Sequence, residues 1–366
     1  MKTTILATDS TKQLWLSLLL SILCSFIINA QDDKTAYQQK KLFSSKEVLP
    51  IKLTYSNKHL KSKTTDSIYL KTDLSYQQEN GTWKTVAVDL RARGNFRKAN
   101  CYYTPVKMKI KKVNALGTLF EGNKKLKLVL PCFSCKGMND FVAKEYLAYK
   151  LYEKIAPYHF KTRLVSIDFT EIKKNKVVSH TLLGILIEDI KEVAARHKGH
   201  VFKRHMQPIT QDPVTSVQNS LFQFMIANTD YSTTYQHNHK QLFADKKILP
   251  VPYDFDMSGF VDTDYAVVSK VQNKKLPIED VTERYYKGFL RDKGIFQRVR
   301  SEFLINKEAL FAILDTHKHL FKNKREFFKS RDFISSFYHI IENDRRFENN
   351  IFEKARTVRT KKATSK

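Results

Sequence analysis

The chain has 366 residues, with 64 lysines and arginines against 37 aspartates and glutamates, and a formal net charge of +27 at pH 7. It is 42% hydrophobic, with 25 phenylalanines and 17 tyrosines but only 10 glycines and 9 prolines. This composition excludes collagen-like, low-complexity and globally disordered chains, and four cysteines are too few for a disulfide-dense scaffold. The charge predicts an anionic partner, and the length predicts two lobes or two domains.

The N-terminal segment has the features of a secretory signal peptide. Residues 14–28 are uncharged and follow Lys2 and Lys12, and Ala30 offers a small residue at a cleavage point. We therefore expect residues 1–30 to be removed, which gives a secreted or periplasmic protein with no membrane span after cleavage. The alternative is an uncleaved N-terminal membrane anchor, although this apolar run is shorter than the roughly 20 residues that a spanning helix needs.

Three cysteines remain after cleavage, namely Cys101, Cys132 and Cys135. Because exported proteins fold in an oxidising compartment, we expect a disulfide. The sequence favours a structural bridge from Cys101 to either Cys132 or Cys135, and leaves both pairings open. A single Cys-x-x-Cys pattern without a second cysteine pair gives little support to a zinc site.

The first half of the chain is predicted to be rich in β-structure. Residues 31–48 are polar, and we expect a linker there. Between positions 50 and 130, several runs alternate apolar and polar residues, which predicts half-buried antiparallel strands. Asn80-Gly81 predicts a hairpin turn. A helix should begin near Asp140 and end before Pro157, followed by two strands at 164–170 and 182–187.

The second half is predicted to be mainly helical. Asp212-Pro213 predicts the start of a helix that runs to about residue 227, and a hairpin should turn at Asp245-Lys246. Helices follow from about residue 287, and residues 356–366 form a basic tail. We therefore predict an α+β, bilobal fold, with a β-rich N-lobe at 49–188 and a helical C-lobe at 189–355.

The densest group of polar residues follows the predicted helix and hairpin of the second half. It consists of three segments, Asn228-Thr229-Asp230, His237-Asn238-His239 and Asp254-Phe255-Asp256. Carboxylate and amide oxygens from these segments could converge on Mg²⁺, which prefers oxygen ligands and shares them with phosphate. The first of these aspartates, Asp230, could instead orient and deprotonate a hydroxyl group. A purely structural role, in which the loops cap helices and satisfy backbone groups, is the alternative.

The order of several short motifs resembles that of the CotH kinase family, spore-coat-type atypical protein-kinase-like proteins. The matching segments are 90–95, 105–110, 126–130, 183–188, 228–230 and 251–256. Together they span about residues 88 to 260, roughly half of the chain. The resemblance implies a bilobal atypical protein-kinase-like fold and ATP with Mg²⁺ or Mn²⁺ as cofactors.

The resemblance also implies roles for the acidic loops. Asp230 would be the catalytic aspartate that positions the acceptor hydroxyl. Asp254 would bind the metal ion with Asn238, and Asp256 belongs to the same motif and is a further candidate ligand. Asn238 lies eight positions after Asp230, whereas typical kinases place this asparagine five positions after the catalytic aspartate.

The nucleotide-binding residues implied by the resemblance lie in the first half. Lys107 or Lys109 would contact the phosphates, and strand alternation places both on one face. Glu145 would pair with that lysine. Arg93 and Glu188 belong to the motifs that complete the nucleotide site.

The expected function is that of an exported atypical kinase-like protein, which transfers the γ-phosphoryl group of ATP to a hydroxyl of a protein or surface molecule such as a glycan. The first alternative is a non-catalytic, pseudokinase-like binding protein of the envelope or cell surface. The second is a metal-dependent nuclease, suggested by His237-Asn238-His239 and the basic charge. Alternating side chains of an extended segment do not converge as a nuclease motif requires, so we expect no nucleic-acid partner.

Overall fold

The computed structural model describes residues 40–134, 137–271 and 274–357. The predicted signal peptide, residues 31–39 of the predicted linker, Cys135 and most of the predicted basic tail lie outside the described residues. Within the linker, Lys41–Phe43 forms a short 3₁₀ helix, and Leu42 is buried.

Seven strands form a closed barrel in the order β1-β2-β3-β4-β5-β7-β6. The barrel closes where β6 pairs parallel to β1, and all other neighbouring strands are antiparallel. Alternate side chains of these strands fill the interior, which is the outcome that period-two patterning predicts. The strands are β1 Leu49–Tyr55, β2 Leu70–Gln77, β3 Trp83–Ala92, β4 Val106–Lys109, β5 Lys125–Val129, β6 Thr162–Ile172 and β7 Val177–Glu188.

Short helices lie in the connections between the barrel strands, and longer helices pack against one side of the barrel. The helices are α1 Asn57–Lys63, α2 Asn95–Asn100, α3 Lys112–Ala115, α4 Met138–Ile155, α5 Ile190–Arg196, α6 Pro213–Met225, α7 Lys293–Ile305, α8 Lys307–Thr316, α9 Lys324–Ile341 and α10 Asp344–Phe347. Shorter helical turns lie at Pro208–Thr210, Lys318–Leu320 and Glu348–Phe352. A three-stranded sheet contains β8 His200–Phe202, β9 His239–Ala244 and β10 Lys247–Pro252, and a small hairpin contains β11 Lys270–Val271 and β12 Lys274–Lys275.

Local signals place the elements close to their predicted positions. The turn containing Asn80-Gly81 joins β2 to β3, and Gly81 has the positive φ of 82° that favours glycine. Asp212 caps α6 by accepting a hydrogen bond from the Thr215 amide. The β9–β10 hairpin turns at Asp245-Lys246 as predicted. The helix α4 begins two residues before Asp140, whose carboxylate instead accepts hydrogen bonds from backbone amides at 322 and 323.

The predicted bilobal protein-kinase-like fold, with a β-rich N-lobe and a helical C-lobe, is wrong. The strands of the first half close into a barrel, because β6 pairs with β1 as well as with β7. The outer face of β5, β6 and β7 is also apolar, and it packs against the long helices. Val129, Leu164 and Ile185 on that face share one hydrophobic cluster with residues of the helices. Alternation along single strands identifies strands but does not identify the pairing that closes a barrel.

One of the two predicted disulfide pairings is present. Cys101, after α2, is bonded to Cys132, after β5, with an S–S distance of 2.07 Å. The bridge joins the segment between β3 and β4 to the segment that follows β5. None of the helices in the described part of the chain combines the length and apolar character needed to cross a bilayer.

Candidate functional site

The loop after α6 holds Asp230 through backbone and side-chain hydrogen bonds. The Asp230 amide donates to Asn228 Oδ1 at 2.9 Å, which forms a turn of the kind that asparagine favours. The buried ammonium group of Lys287 donates to the carbonyls of Thr229 and Tyr231, at 2.5 and 2.9 Å. Because burial outweighs attraction to Asp230, the pKa of Lys287 is lowered to about 8. Lys287 thus fixes the backbone on both sides of Asp230.

The carboxylate of Asp230 lies at the centre of a polar cluster. Asn238 Nδ2 donates to Asp230 Oδ2 and to the Asp230 carbonyl, both at 2.8 Å. On the other carboxylate oxygen, His237 Nε2 lies at 3.2 Å, and the Ser269 hydroxyl donates at 3.4 Å. The hydrogen bond to Asp230 raises the pKa of His237 above its usual value. The structure therefore brings two of the predicted site residues, Asp230 and Asn238, into direct contact.

The β9–β10 hairpin places Asp254 beside this cluster. The Tyr253 amide donates to the Asn238 carbonyl at 3.2 Å, and the Asp254 amide donates to the Tyr149 hydroxyl at 2.9 Å. Asp254 and Asn238 both adopt left-handed backbone conformations, with φ of 66° and 48°. Such conformations are uncommon outside glycine, although Asp and Asn tolerate them best. Arg93 Nη2 lies 3.8 Å from Asp254 Oδ2, so Arg93 also belongs to the site.

Asp256 is directed into a buried cluster with Arg97. The Tyr265 hydroxyl donates to Asp256 Oδ2 at 3.0 Å, and Arg97 Nη1 lies 3.6 Å from the same oxygen. Burial, together with the charge of Asp254, raises the pKa of Asp256 to about 6. The predicted metal ligand Asp256 is therefore engaged by an arginine and a tyrosine, which suits a structural role.

Glu145, on α4, lies in the same buried region. Burial is the main reason that its pKa is raised well above the usual value, and the charges of Asp256 and Asp254 raise it further. Its Oε1 atom is buried without a hydrogen-bond partner among the described residues. Within the described ranges, Glu145 forms no ion pair with Lys107 or Lys109, so the predicted lysine–glutamate pair is not formed in this structure.

Sequence reasoning missed Lys127, which the structure places at the site. Its Nζ atom lies 3.8 Å from the centre of the Tyr253 ring. Burial lowers the pKa of Lys127 to about 7, and repulsion from Arg93 and Lys240 contributes, although attraction to Asp254 opposes the shift. Across the described part of the chain, Lys127 forms no ion pair. The signal in the sequence is Val129, an apolar residue two positions after Lys127 and therefore on the same face of β5. Its burial against the helices shows that this face is covered at the end of the strand.

The other predicted nucleotide-binding residues, Lys107, Lys109 and Glu188, lie in three different environments. Lys107 is directly opposite Lys127 on the neighbouring strand β4, on the same outer face of the barrel. Lys109 is further along that face, with its Nζ 3.8 Å from the centre of the Tyr69 ring. Glu188 is buried and accepts two hydrogen bonds from Arg196 Nη1, at 2.8 and 3.0 Å. Glu188 is thus occupied by a structural ion pair.

The two histidines of the His237-Asn238-His239 segment lie in different environments. The His237 side chain is 59% exposed, whereas His239 is fully buried. Burial lowers the pKa of His239 to about 3. The ring of His239 lies 3.3 Å from Gln211, away from the Asp230 carboxylate that His237 contacts. The histidines therefore do not form a pair that acts on one ligand.

The oxygen atoms of the site suit Mg²⁺ or Mn²⁺ only together with ligands from a bound phosphate. In the ranges that the structure describes, no group of three or more His, Cys, Asp or Glu side chains is arranged to hold a metal ion. Asp254 offers a carboxylate, and Asn238 offers its Oδ1 because Nδ2 is engaged by Asp230. Mg²⁺ is commonly held by one or two protein carboxylates together with phosphate oxygens and water. The residues present fit that pattern.

The comparisons with known proteins add no family assignment. No protein-family model matches the sequence, and no curated protein matches it. The resemblance to the CotH kinases therefore rests on the short motifs and their order.

Proposed function

We propose that this protein transfers the γ-phosphoryl group of ATP, with Mg²⁺ or Mn²⁺, to a hydroxyl group of a protein or surface molecule. The observation that carries the proposal is Lys127, a half-buried lysine whose Nζ atom lies 3.8 Å from the ring of Tyr253, the residue before Asp254, and whose pKa is lowered to about 7. Asp230 and Asn238, joined by a 2.8 Å hydrogen bond, complete the constellation. Catalysis of phosphoryl transfer depends mainly on positioning and charge neutralisation, for which such groups are suited.

Three basic side chains support an anionic ligand at this site. Lys127, Arg93 and Lys240 repel one another, because the charges of Arg93 and Lys240 each lower the pKa of Lys127. Burial and the charge of Arg93 likewise lower the pKa of Lys240. A bound phosphate would offset this repulsion and stabilise the charged form of Lys127. Asp254 is the one carboxylate within 4 Å of any of these three cations in the described structure.

Each acidic residue has a distinct role in the proposal. Asp254 and Asn238 would hold the divalent ion, and the ion would neutralise part of the negative charge of the phosphates. Asp230 would orient the acceptor hydroxyl and accept its proton as the new phosphate ester bond forms. Lys287 keeps Asp230 in place through the two flanking carbonyls. Asp256 and Arg97 support the Asp254 segment from the buried side.

Export of the protein is part of the proposal. The Cys101–Cys132 disulfide agrees with folding in an oxidising compartment. We propose that residues 1–30 act as a cleaved signal peptide and that the protein is secreted or periplasmic. An uncleaved N-terminal anchor is the alternative, and N-terminal sequencing of the exported protein distinguishes the two.

The second candidate function is binding of the same ligand without turnover. The observation that favours it is the environment of Asp230, whose carboxylate already contacts Asn238, His237 and Ser269. A carboxylate held in this way has fewer lone pairs for an acceptor hydroxyl. Such a protein would be an envelope or cell-surface binding protein.

The test measures transfer of labelled γ-phosphate from ATP to the protein itself and to a panel of hydroxyl acceptors. Asp230→Asn should lower turnover about 100-fold or more while it changes the nucleotide Kd less than about threefold. The matched control is Asp264→Asn, which removes the charge of an exposed aspartate that makes none of the site contacts described above. Nucleotide binding without transfer by the wild type, with either metal, would overturn catalysis and leave the binding function.

A further inference from the structure

A cavity of about 590 Å³ lies outside the candidate phosphotransfer site. It is bordered by α1, by residues on and after α2, and by the end of β6 with the turn that follows it. None of its lining residues contacts Asp230 or Asp254. Its volume falls in the range of roughly 300–1,000 Å³ that is typical of small-molecule sites.

The cavity carries an excess of positive charge. Glu171 is the one acidic residue among the described residues that line it, and it is buried. The Tyr102 hydroxyl donates to Glu171 Oε2 at 2.7 Å, and His180 Nε2 lies 3.2 Å from the same oxygen. The acidic group is therefore already engaged. The lysines that line the cavity are Lys58, Lys61, Lys98, Lys173 and Lys174.

Most of this lysine charge has no counter-charge in the protein. Lys173 lies 3.4 Å from Glu171, and Lys61 donates to the Cys101 carbonyl at 2.7 Å. Lys58, Lys98 and Lys174 form no ion pair with any residue that the structure describes. Like charges gathered around one concave surface repel one another and attract an anion.

The remaining walls suit a ligand with hydroxyl groups and apolar faces. Asn57 is 4% exposed, and its Oδ1 atom has no hydrogen-bond partner among the described residues, although its Nδ2 donates to the Tyr102 carbonyl. Such a buried acceptor favours a ligand hydroxyl, because an unpaired polar group is costly. The side chains of Tyr102 and Ile172, 37% and 48% exposed, provide apolar surface for the C–H groups of a ring. Ser62 adds a hydroxyl at the rim.

We propose that this cavity binds an anionic saccharide, a sugar that carries a phosphate or carboxylate group. The lysines would contact the anionic group, and Asn57 and Ser62 would contact sugar hydroxyls. The inference does not rest on the proposed phosphotransfer, because it uses none of the residues of that site.

The test is calorimetric titration of the purified protein with five probes at low ionic strength: glucose 1-phosphate, galacturonate, glucose, inorganic phosphate and AMP. One of the anionic sugars should bind about tenfold or more tightly than glucose and inorganic phosphate. The double variant Lys58→Gln/Lys98→Gln should weaken that binding about tenfold. The matched control, Lys63→Gln/Lys112→Gln, removes the same charge from exposed positions that do not line the cavity.

Each contrary result overturns a part of the inference. Inorganic phosphate that binds as tightly as the sugars would show a simple ion site. Tighter binding of AMP than of either anionic sugar would show a nucleotide site. If neither anionic sugar binds, or if both double variants lose the same amount of affinity for it, the cavity is not a saccharide site. The circular dichroism spectra of the variants, whose replaced lysines are not buried, should match that of the wild type.

Discussion

Replacement of Lys127 by methionine tests the electrostatics of the candidate site without any ligand. In the folded protein the pKa of Lys127 is lowered from 10.5 to about 7, chiefly by burial. Above pH 7 the unfolded chain therefore binds a proton that the folded protein has released. The free energy of unfolding of the wild type should rise with pH between 7 and 10.5 through this group. Lys127→Met should lack this rise.

The magnitude follows from the size of the pKa difference. At 1.36 kcal/mol per pH unit, an unscreened shift of this size would raise the free energy of unfolding of the wild type by about 3 kcal/mol between pH 7 and pH 9.5. Because the Lys127 side chain is only half-buried, solvent screens part of this energy, and we expect about 2 kcal/mol. At pH 6 the variant should be the more stable protein, and its advantage should shrink by that amount at pH 9.5.

The assay is urea unfolding followed by circular dichroism at both pH values. The matched control is Lys107→Met, which removes a lysine directly opposite Lys127 on the same outer face of the barrel. A stability difference between wild type and Lys127→Met that is the same at pH 6 and pH 9.5 would refute the reasoning. The reasoning would also be refuted if the stability difference between wild type and Lys107→Met changed with pH as much as the difference between wild type and Lys127→Met.

Three further predictions concern stability. Replacing Cys101 and Cys132 together by alanine should cost about 3–4 kcal/mol, measured by urea unfolding, because the bridge closes a loop with a sequence separation of 31; a loss below about 1 kcal/mol would contradict this. Gly259→Ala should lower the melting temperature, since a Cβ there would lie 2.3 Å from the Val281 carbonyl oxygen, at a cost of about 1–3 kcal/mol; an unchanged melting temperature would show that the backbone yields. Glu145→Gln should be more stable than wild type at pH 8 but not at pH 4. Because the pKa of Glu145 is higher in the folded protein than in the unfolded chain, the wild type loses stability as the pH rises above the unfolded-state pKa. A stability difference that does not depend on pH would contradict this.

Local structure follows from the sequence because its causes are local. The turn at Asn80-Gly81, the Asp212 cap and the β9–β10 hairpin each depend on neighbouring residues. The closure of the barrel depends on β6 pairing with β1, more than one hundred positions earlier. No pattern within either strand specifies that partner, which explains why the predicted bilobal fold was wrong.

In the candidate site, too, the residues placed by local structure were predicted, and those placed by packing between distant segments were not. The contact of Asn238 with Asp230 and the position of Asp254 follow from loops that flank one hairpin, and the sequence predicted their convergence. Lys127 comes from the barrel wall, and its importance arises from burial under Tyr253, which is visible only in three dimensions. Glu188 looked like a site residue in its motif, but Arg196 engages it from α5.

The most direct test of the central claim is calorimetric titration of ATP–Mg²⁺ at pH 8, repeated in two buffers of different ionisation enthalpy. With a pKa of about 7, Lys127 is about nine-tenths neutral at pH 8 in the free protein, and a bound phosphate should return it to the charged form. The account predicts binding with uptake of about one proton per ATP in the wild type, and binding without that uptake in Lys127→Met. No binding by the wild type, or the same uptake in both proteins, would contradict it.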